Sequence, residues 1–257
     1  MVLPTRRVIS VSGKGGTGKT TLTVLLLKHL INRTKEPVLV VDADPATNLP
    51  EVLGVNIGKT VGEVTDELKK RIADGAIPPM VSKEGMLEAW VFETLVETDR
   101  FDLLAMGRSE GEGCYCYVNS VLTKILDTLT SNYAYTLMDM EAGLEHLSRR
   151  TDQKVDTMLV TTDPSKMGLE TARRIKELTK EVHIEVDRLY LVGNQFPPEM
   201  EPLLRDSAQR IGLDVAGTIP ADPLIASYNL MGKPLLGIPE NAPSYRAVIK
   251  IAEQIGL

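Results

Sequence analysis

The sequence predicts an α/β protein with a doubly wound, mainly parallel sheet and helices on both of its faces. Three observations predict this fold. Short runs of valine, isoleucine and leucine are apolar on successive residues, as in strands that are covered on both faces. These runs alternate with longer helical segments, the order found in strand–helix–strand units. A glycine-rich loop joins the first strand to the first helix.

The N-terminal half begins with an apolar strand, the glycine loop and a helix. A second strand lies between Pro37 and Pro45, and a third follows a mixed segment at residues 56–98. The stretch 58–88 has no clear pattern, and we expect it to be partly a surface insertion. The predicted strands of this half are residues 6–13, 37–44 and 101–107, and the predicted helices are residues 20–33 and 119–131.

The C-terminal half continues the alternation with four strands and three helices. The predicted strands are residues 135–141, 156–164, 188–195 and 214–220, and the predicted helices are residues 169–182, 199–212 and 245–256. Linker-like composition and internal repeats are absent from the sequence, so a single domain over residues 1–257 is expected. Ligands of such sheets bind outside the carboxyl ends of the strands, so the residues directly after each strand are the candidates for a site.

Composition restricts the classes of protein to which this chain can belong. With 257 residues, 43% hydrophobic content and a net charge of −6, it has the apolar material for a large core. The N-terminus has no secretory pattern, and no run reaches the roughly 18 apolar residues of a membrane helix. We therefore expect a cytoplasmic protein with no membrane partner. The negative charge also argues against a nucleic-acid partner, since phosphate-backbone binding needs a basic surface.

The loop "GKGGTGKT", Gly13–Thr20, fits the phosphate-binding pattern G-x-x-x-x-G-K-[ST]. In this pattern the backbone N–H groups hold phosphates, Lys19 reaches the β and γ oxygens, and Thr20 binds magnesium. The same letters contain the dinucleotide pattern G-x-G-x-x-G, but a dinucleotide site does not need Lys19 and Thr20 after its last glycine. The triphosphate interpretation is therefore favoured. The predicted phosphate-site residues are Gly13, Lys14, Gly15, Gly16, Thr17, Gly18, Lys19, Thr20 and Thr21.

Acidic residues follow two of the predicted strands. Asp42 and Asp44 end the second strand, two positions apart, so that one could orient magnesium-bound water and the other the attacking water. The alternative is a turn or N-cap pair beside Pro45. Asp139 ends the strand 135–141 and precedes Gly143, as expected for an acid that holds magnesium through water next to a hinged switch.

Lys14 makes the loop K-G-G-T-G-K-T, which resembles the deviant Walker A ATPases. That family includes the Min and Par proteins, the nitrogenase iron protein and metal-insertion ATPases. The resemblance implies a homodimer in which Lys14 reaches the nucleotide of the partner. It also implies that Asp44 positions the hydrolytic water, so that Lys14, Lys19 and Asp44 form the catalytic set.

Two segments near the end of the chain fit base recognition. Asn194 ends a strand, and its amide offers both a donor and an acceptor to adenine. Pro220 and Asp222 follow the next strand. Adenine contacts at these three residues are implied by the family resemblance, which also makes ATP and Mg²⁺ the expected cofactors.

Both cysteines of the chain, Cys114 and Cys116, lie in the stretch "GEGCYCYVN". In a reducing compartment two thiols are typical of metal or redox sites, and two thiolates fill half of a tetrahedral site. A second copy of the chain could supply the other pair across a two-fold axis. Thiolates suit nickel, zinc and copper(I), so the residues do not choose the metal. Two small cysteines packed in a core are the alternative.

The segments "MGRSEGEGCYCYVN" and "DMEAGLEHLSRRT" resemble the nickel-insertion ATPases of carbon monoxide dehydrogenase maturation, the CooC type. This resemblance implies Ni²⁺ or Zn²⁺ held by Cys114 and Cys116 across a homodimer. It implies delivery to an acceptor such as carbon monoxide dehydrogenase or the related acetyl-CoA synthase. Two alternatives stay open: an ATP-gated iron–sulfur reductase like the nitrogenase iron protein, and a positioning ATPase of the Min or Par type. For the last, the apolar stripe of the closing helix fits core packing better than membrane binding.

Overall fold

The computed structural model describes residues 6–78, 80–108, 116–142, 154–181 and 185–257. These residues form one eight-stranded sheet with the order β3-β4-β2-β5-β1-β6-β7-β8. Neighbouring strands are parallel except at the β3–β4 edge, which is antiparallel. The predicted α/β fold with a mainly parallel sheet is confirmed. The strands are β1 Arg7–Gly13, β2 Val38–Ala43, β3 Val96–Glu97, β4 Asp102–Ala105, β5 Tyr135–Met140, β6 Val155–Thr162, β7 Val186–Asn194 and β8 Asp214–Ile219.

The helices of the described ranges include every helix that the sequence predicts, with ends that differ by at most three residues. Short 3₁₀ turns lie at Pro198–Met200 and Leu235–Gly237. The helices are α1 Lys19–Arg33, α2 Leu49–Leu53, α3 Val61–Ala73, α4 Lys83–Glu93, α5 Cys116–Ser131, α6 Lys166–Glu181, α7 Glu201–Ile211, α8 Pro223–Leu230 and α9 Pro243–Ile255.

Apolar cores lie on both faces of the sheet, which explains why the strands are apolar on successive residues. Side chains alternate between the faces of a strand. In β2, Leu39 belongs to the core covered by α3 to α7, and Val40 belongs to the core covered by α1 and α9. In β1, Val8 and Ile9 divide in the same way. Helices on both faces leave the carboxyl edge of the sheet as the place where loops can form a site.

The segment 56–98 is more ordered than the sequence suggests. Helices α3 and α4 occupy most of it, and one face of each helix enters the core. The expectation that residues 58–88 are partly at the surface agrees with the exposed stretch 80–85. Helix α3 begins with a capping box: the Glu63 amide donates to Thr60 Oγ1, and the Thr60 amide donates to Glu63 Oε2. The buried residues are Val61, Val64, Leu68, Leu87 and Val91.

Helix α9 closes the core on the face covered by α1. Its stripe of Tyr245, Val248, Ala252 and Ile255 is buried, and Ile249 is partly buried against the same cluster. The prediction of core packing for this stripe is confirmed. Among the helices that the structure describes, none is both long and apolar enough to cross a bilayer.

Candidate functional site

Most predicted site residues meet at the carboxyl edge of the sheet. Gly13 ends β1, Asn194 ends β7, and Asp42 and Asp139 lie one position before the ends of β2 and β5. Asp42 and Asp139 are direct partners in the register of β2 and β5. The parallel sheet therefore brings together side chains that are far apart in sequence.

A cavity of ≈ 750 Å³ opens at this edge, between the glycine loop and helix α8. Its volume is in the range of sites that hold small molecules and cofactors. Ten of the predicted site residues line it: Gly15, Gly16, Gly18, Lys19, Thr20, Thr21, Asp44, Asn194, Pro220 and Asp222. Residues that line it without having been predicted include Asn48, Gln195, Ile225, Ala226, Asn229 and Ser244.

The glycine loop is fixed on one side by hydrogen bonds of Thr17 and is open towards the cavity on the other side. Thr17 Oγ1 donates to the Lys14 carbonyl at 2.7 Å and lies 2.7 Å from Thr161 Oγ1 of β6. A Cβ atom built at Gly15 or Gly16 would meet nothing within 4 Å. The loop backbone next to the α1 N-terminus is thus accessible from the cavity. This cradle fits an anion such as a phosphate group.

Lys19 and Thr20 begin α1 and face acidic groups. Lys19 is 8% exposed, and its Nζ lies 3.9 Å from Asp44 Oδ2. Thr20 Oγ1 donates to Asp139 Oδ2 at 2.6 Å. Asp139 Oδ1 is buried, and no group of the described residues donates to it. Hydroxyl and carboxylate oxygens suit Mg²⁺, so this donor set fits the cation that the loop pattern implies.

Asp42 and Asp139 are buried acids with perturbed pKa values. Burial raises the pKa of the Asp42 carboxyl to about 6, against the lowering effect of the amides of Leu49 and Asp44. Burial raises the pKa of Asp139 to about 7, and its hydrogen bond from Thr20 opposes this. Strongly perturbed acids beside a cavity are typical of functional sites.

The two acids after β2 have different contacts. Asp42 accepts the Asp44 amide at Oδ1, at 3.1 Å, and the Leu49 amide at Oδ2, at 2.9 Å. Both of its oxygens therefore bind the backbone of the following loop, as expected if Asp42 is a turn residue rather than a ligand of magnesium-bound water. Asp44 Oδ1 accepts the Ala46 amide at 3.0 Å, and its Oδ2 faces Lys19. Of the two acids, Asp44 is the one that lines the cavity.

The residues predicted to contact a base also bind other parts of the protein. Asn194 Nδ2 donates to the Thr17 carbonyl at 2.9 Å. Asp222 is the N-cap of α8, where its Oδ1 accepts the Leu224 amide at 2.9 Å. Its Oδ2 accepts the amide of Ser244 at 3.1 Å and the hydroxyl of Ser244 at 2.6 Å. These internal contacts were not expected from the sequence.

Lys14 lies beside the cavity rather than in its wall. Its Nζ is 3.7 Å from Asp163 Oδ2, and the two side chains are 38% and 32% exposed. The sequence reasoning missed Asp163, although it directly follows β6 and the strand-end rule applies to it. An exposed pair of this kind is weak and can exchange partners.

The predicted cysteine site lies largely outside the described residues. Cys114 lies outside the described residues, and Cys116 is described only as the first backbone position of α5. Gly143, the predicted hinge after Asp139, also lies outside them. The strand that precedes the cysteine loop is described. After β4 ends, the Met106 amide donates to the Asp42 carbonyl at 2.8 Å. The chain therefore enters the cysteine loop from the same edge of the sheet as the acids.

Comparison with known proteins gives the family. The model of the CobQ/CobB/MinD/ParA nucleotide binding domain matches residues 8–235. An uncharacterised ATP-binding protein of Methanocaldococcus jannaschii is 50% identical over 96% of this chain and 98% of its own length. The carbon monoxide dehydrogenase accessory protein CooC of Rhodospirillum rubrum is 28% identical over 87% of each chain. The cell division ATPase MinD of Pyrococcus furiosus superposes with a TM-score of 0.68 at 25% identity, covering 97% of this chain and 98% of that one. The chain belongs to the CobQ/CobB/MinD/ParA nucleotide-binding family and is a P-loop ATPase.

Proposed function

We propose that this ATPase is a metallochaperone that forms a homodimer with Mg-ATP, binds a metal ion between the two copies and inserts nickel into an acceptor enzyme. Cys114 and Cys116 of each copy would hold the ion, which is nickel, with zinc as the alternative. The acceptor would be carbon monoxide dehydrogenase or the related acetyl-CoA synthase. The observation that carries the proposal is the pair of cysteines, Cys114 and Cys116, in the segment that follows β4. The end of β4 lies beside the strand that carries the acids, where the Met106 amide donates to the Asp42 carbonyl.

The proposed nucleotide site uses the cavity at the carboxyl edge. The loop residues that line the cavity would hold the phosphates, with Lys19 neutralising their charge; they are Gly15, Gly16, Gly18, Lys19, Thr20 and Thr21. Thr20 and Asp139 would hold the magnesium ion, which neutralises charge on the phosphates. Asp44 would orient the water that attacks, because its carboxylate lies at the cavity beside Lys19. The walls formed by Asn194, Pro220 and Asp222 would receive the base.

The proposed dimer depends on Lys14. Its side chain is partly exposed beside the cavity and is paired only with the partly exposed Asp163 in the described part of the chain. A lysine that already served phosphates of its own site would be expected to line the cavity, as Lys19 does. Its outward position is compatible with contact to a second copy.

The likeness to CooC supports the choice of metal delivery among the functions found in this family. It extends over 87% of both chains, so it includes the segment with the two cysteines. The M. jannaschii relative supports ATP binding in the same way. The cysteine pair in turn favours a metal cargo over a positioning role, which has no use for thiolates.

The metal site is tested by equilibrium dialysis of anaerobic protein against Ni²⁺ and Zn²⁺ with Mg-ATP present. We expect about one ion per dimer for the wild type. Cys114→Ala with Cys116→Ala should abolish this binding and retain most ATP turnover, because neither thiol belongs to the nucleotide site.

Tyr115→Ala is the matched control, since it changes the residue between the cysteines and keeps both thiols. Unchanged metal stoichiometry in the double cysteine variant would exclude the proposed site. A broad visible absorption band of the anaerobic protein would instead favour the alternative, an ATP-gated iron–sulfur reductase.

A further inference from the structure

Asn194 differs from the other cavity residues because its amide reaches the phosphate loop. It is the last residue of β7 and is 9% exposed. Its Nδ2 donates to the Thr17 carbonyl, 177 positions earlier in the chain, at 2.9 Å. A residue on the base side of the cavity therefore contacts the loop on its phosphate side.

The Thr17 carbonyl needs such a donor. Helix α1 begins at Lys19, and the first helical bond runs from the Leu22 amide to the Gly18 carbonyl. The Thr17 carbonyl precedes that helix, so no helical N–H group reaches it. The peptide between Thr17 and Gly18 is planar and trans, so fixing this carbonyl also fixes the Gly18 N–H group, which points the opposite way.

Gly18 and Asn194 are also in steric contact. Gly18 has φ +85°, a left-handed conformation that favours glycine. A Cβ atom at this position would lie 2.1 Å from Asn194 Nδ2. The amide occupies the space that any other residue at position 18 would need. The conformation of the loop and the position of the amide are thus mutually dependent.

The side-chain oxygen of Asn194, Oδ1, remains available to bind a ligand. Asn194 lines the cavity, and within the described ranges its Oδ1 accepts no hydrogen bond. An acceptor in this position can receive the amino group of adenine while Nδ2 keeps its bond to the loop. One side chain can therefore contact the base and the phosphate loop at the same time.

We propose that Asn194 is a positioning residue for the phosphate loop, which acts through the Thr17 carbonyl and sets the affinity for the phosphates as well as for the base. This inference rests on the proposed function, in which the cavity holds ATP. It predicts that the loss of the amide weakens a ligand that has no base at all.

The experiment is calorimetric titration with Mg²⁺ of three ligands, namely ATP, inorganic tripolyphosphate and adenosine, into the full chain. For Asn194→Ala we expect the affinity for tripolyphosphate to fall about five- to tenfold, the effect of one lost hydrogen bond. The matched control is Asn132→Ala, which removes an exposed amide that donates to the Thr128 carbonyl at 3.2 Å, and it should leave tripolyphosphate affinity within about twofold because Asn132 does not line the cavity. A purely structural role would lower the unfolding temperature without this difference between the two variants.

Asn194→Ser, whose side chain is too short to reach the carbonyl, repeats the measurement if Asn194→Ala does not fold. The inference is overturned if either folded variant binds tripolyphosphate like the wild type and loses affinity only for ATP and adenosine. If the wild type binds adenosine and ATP with no affinity for tripolyphosphate, the inference also falls while the nucleotide site stands. If the wild type binds none of the three ligands, the proposed function fails and this inference falls with it.

Discussion

The two buried acids of the site show how similar residues acquire different tasks from their contacts. Asp42 and Asp139 are adjacent across β2 and β5, and burial raises the pKa of both. Both oxygens of Asp42 accept backbone amides, whereas one oxygen of Asp139 has no donor in the described structure. Asp42 therefore stabilises the loop after β2, whereas Asp139 Oδ1 is available to bind a ligand.

This difference predicts opposite effects of the same substitution. Without nucleotide at pH 8, Asp139→Asn should stabilise the fold by about 1 kcal/mol, because it removes a buried charge and keeps an acceptor for Thr20. It should also remove the magnesium-dependent part of ATP affinity. Urea unfolding measures the first effect, and ATP titration with and without Mg²⁺ measures the second.

Asp42→Asn is the matched variant and should destabilise the fold by about 1–3 kcal/mol. Its single oxygen can accept one of the two amides, from Asp44 or Leu49, and the other loses its partner. Equal destabilisation by Asp42→Asn and Asp139→Asn would contradict this distinction between the two carboxylates.

The sequence predicts those site residues that belong to a recognisable motif. Lys19 and Thr20 follow from the loop pattern, and both line the cavity. The second contacts of Asn194 and Asp222 could not be predicted, because they depend on how separate strands and helices meet. Asp163 could have been found from its place directly after β6.

Helices α8 and α9 are joined at their N-termini by one side chain. Asp222 caps α8 through the Leu224 amide and binds both the amide and the hydroxyl of Ser244 in α9. No residue of α8 is fully buried, and only Ile225 and Tyr228 of this helix pack partly buried against the core. Ile225 and Ala226 of this helix line the cavity, which makes the Asp222 contacts important for the shape of the site.

Asp222 should give a stability contribution that depends on pH. Burial raises its pKa, but the hydrogen bonds from Ser244 and the Leu224 amide outweigh this and hold the pKa below the usual 3.8. The contribution is present above pH 3.8 and is lost as pH falls through the lower pKa of the folded state. Asp222→Asn should therefore cost about 1 kcal/mol at pH 7, and the difference from wild type should shrink below about pH 4.

Urea unfolding of both proteins between pH 7 and pH 3 measures this difference. Asp214→Asn is the control, because Asp214 is the exposed first residue of β8 and caps no helix among the described residues. A difference between Asp222→Asn and wild type that grows on acidification would contradict the assignment.

Strands and helices could be predicted where the hydrophobic pattern of the sequence is strong. The seven strands of four or more residues were predicted, whereas the two-residue β3 is too short to give a pattern. Helix α4 was missed because its residues lack a clear periodicity, whereas α3 has Val61, Val64, Leu68 and Ile72 at helical spacing and was overlooked. A local signal was present, however: Thr60 and Glu63 fit the capping-box pattern that the structure contains. The pattern T-x-x-E could have placed the start of α3.

The candidate functional groups lie together at one edge of the sheet. The glycine loop, the acids after β2 and β5, and the entry to the cysteine loop all lie at the carboxyl ends of the parallel strands. The proposed dimer would bring two such edges together. The parallel, doubly wound arrangement follows from alternating strands and helices, and the sequence therefore predicts it, but the alternation does not determine the strand order. An association between two chains depends on surfaces that no intrachain pattern determines.

The dimer is tested through Lys14, whose proposed contact is with the nucleotide of the other copy. The wild type should have the 28.2 kDa mass of one chain without ATP and twice that mass with Mg-ATP. Lys14→Ala should bind ATP with an affinity close to wild type, since Lys14 does not line the cavity, and should remain monomeric. Its ATP turnover should fall at least about a hundredfold, the effect of one lost charge-stabilising group in a phosphoryl transfer. Lys35→Ala, an exposed lysine beyond the end of α1, is the control and should dimerise normally. Light scattering coupled to size exclusion measures the masses, and an ATP-dependent dimer of Lys14→Ala would exclude the proposed role of this lysine.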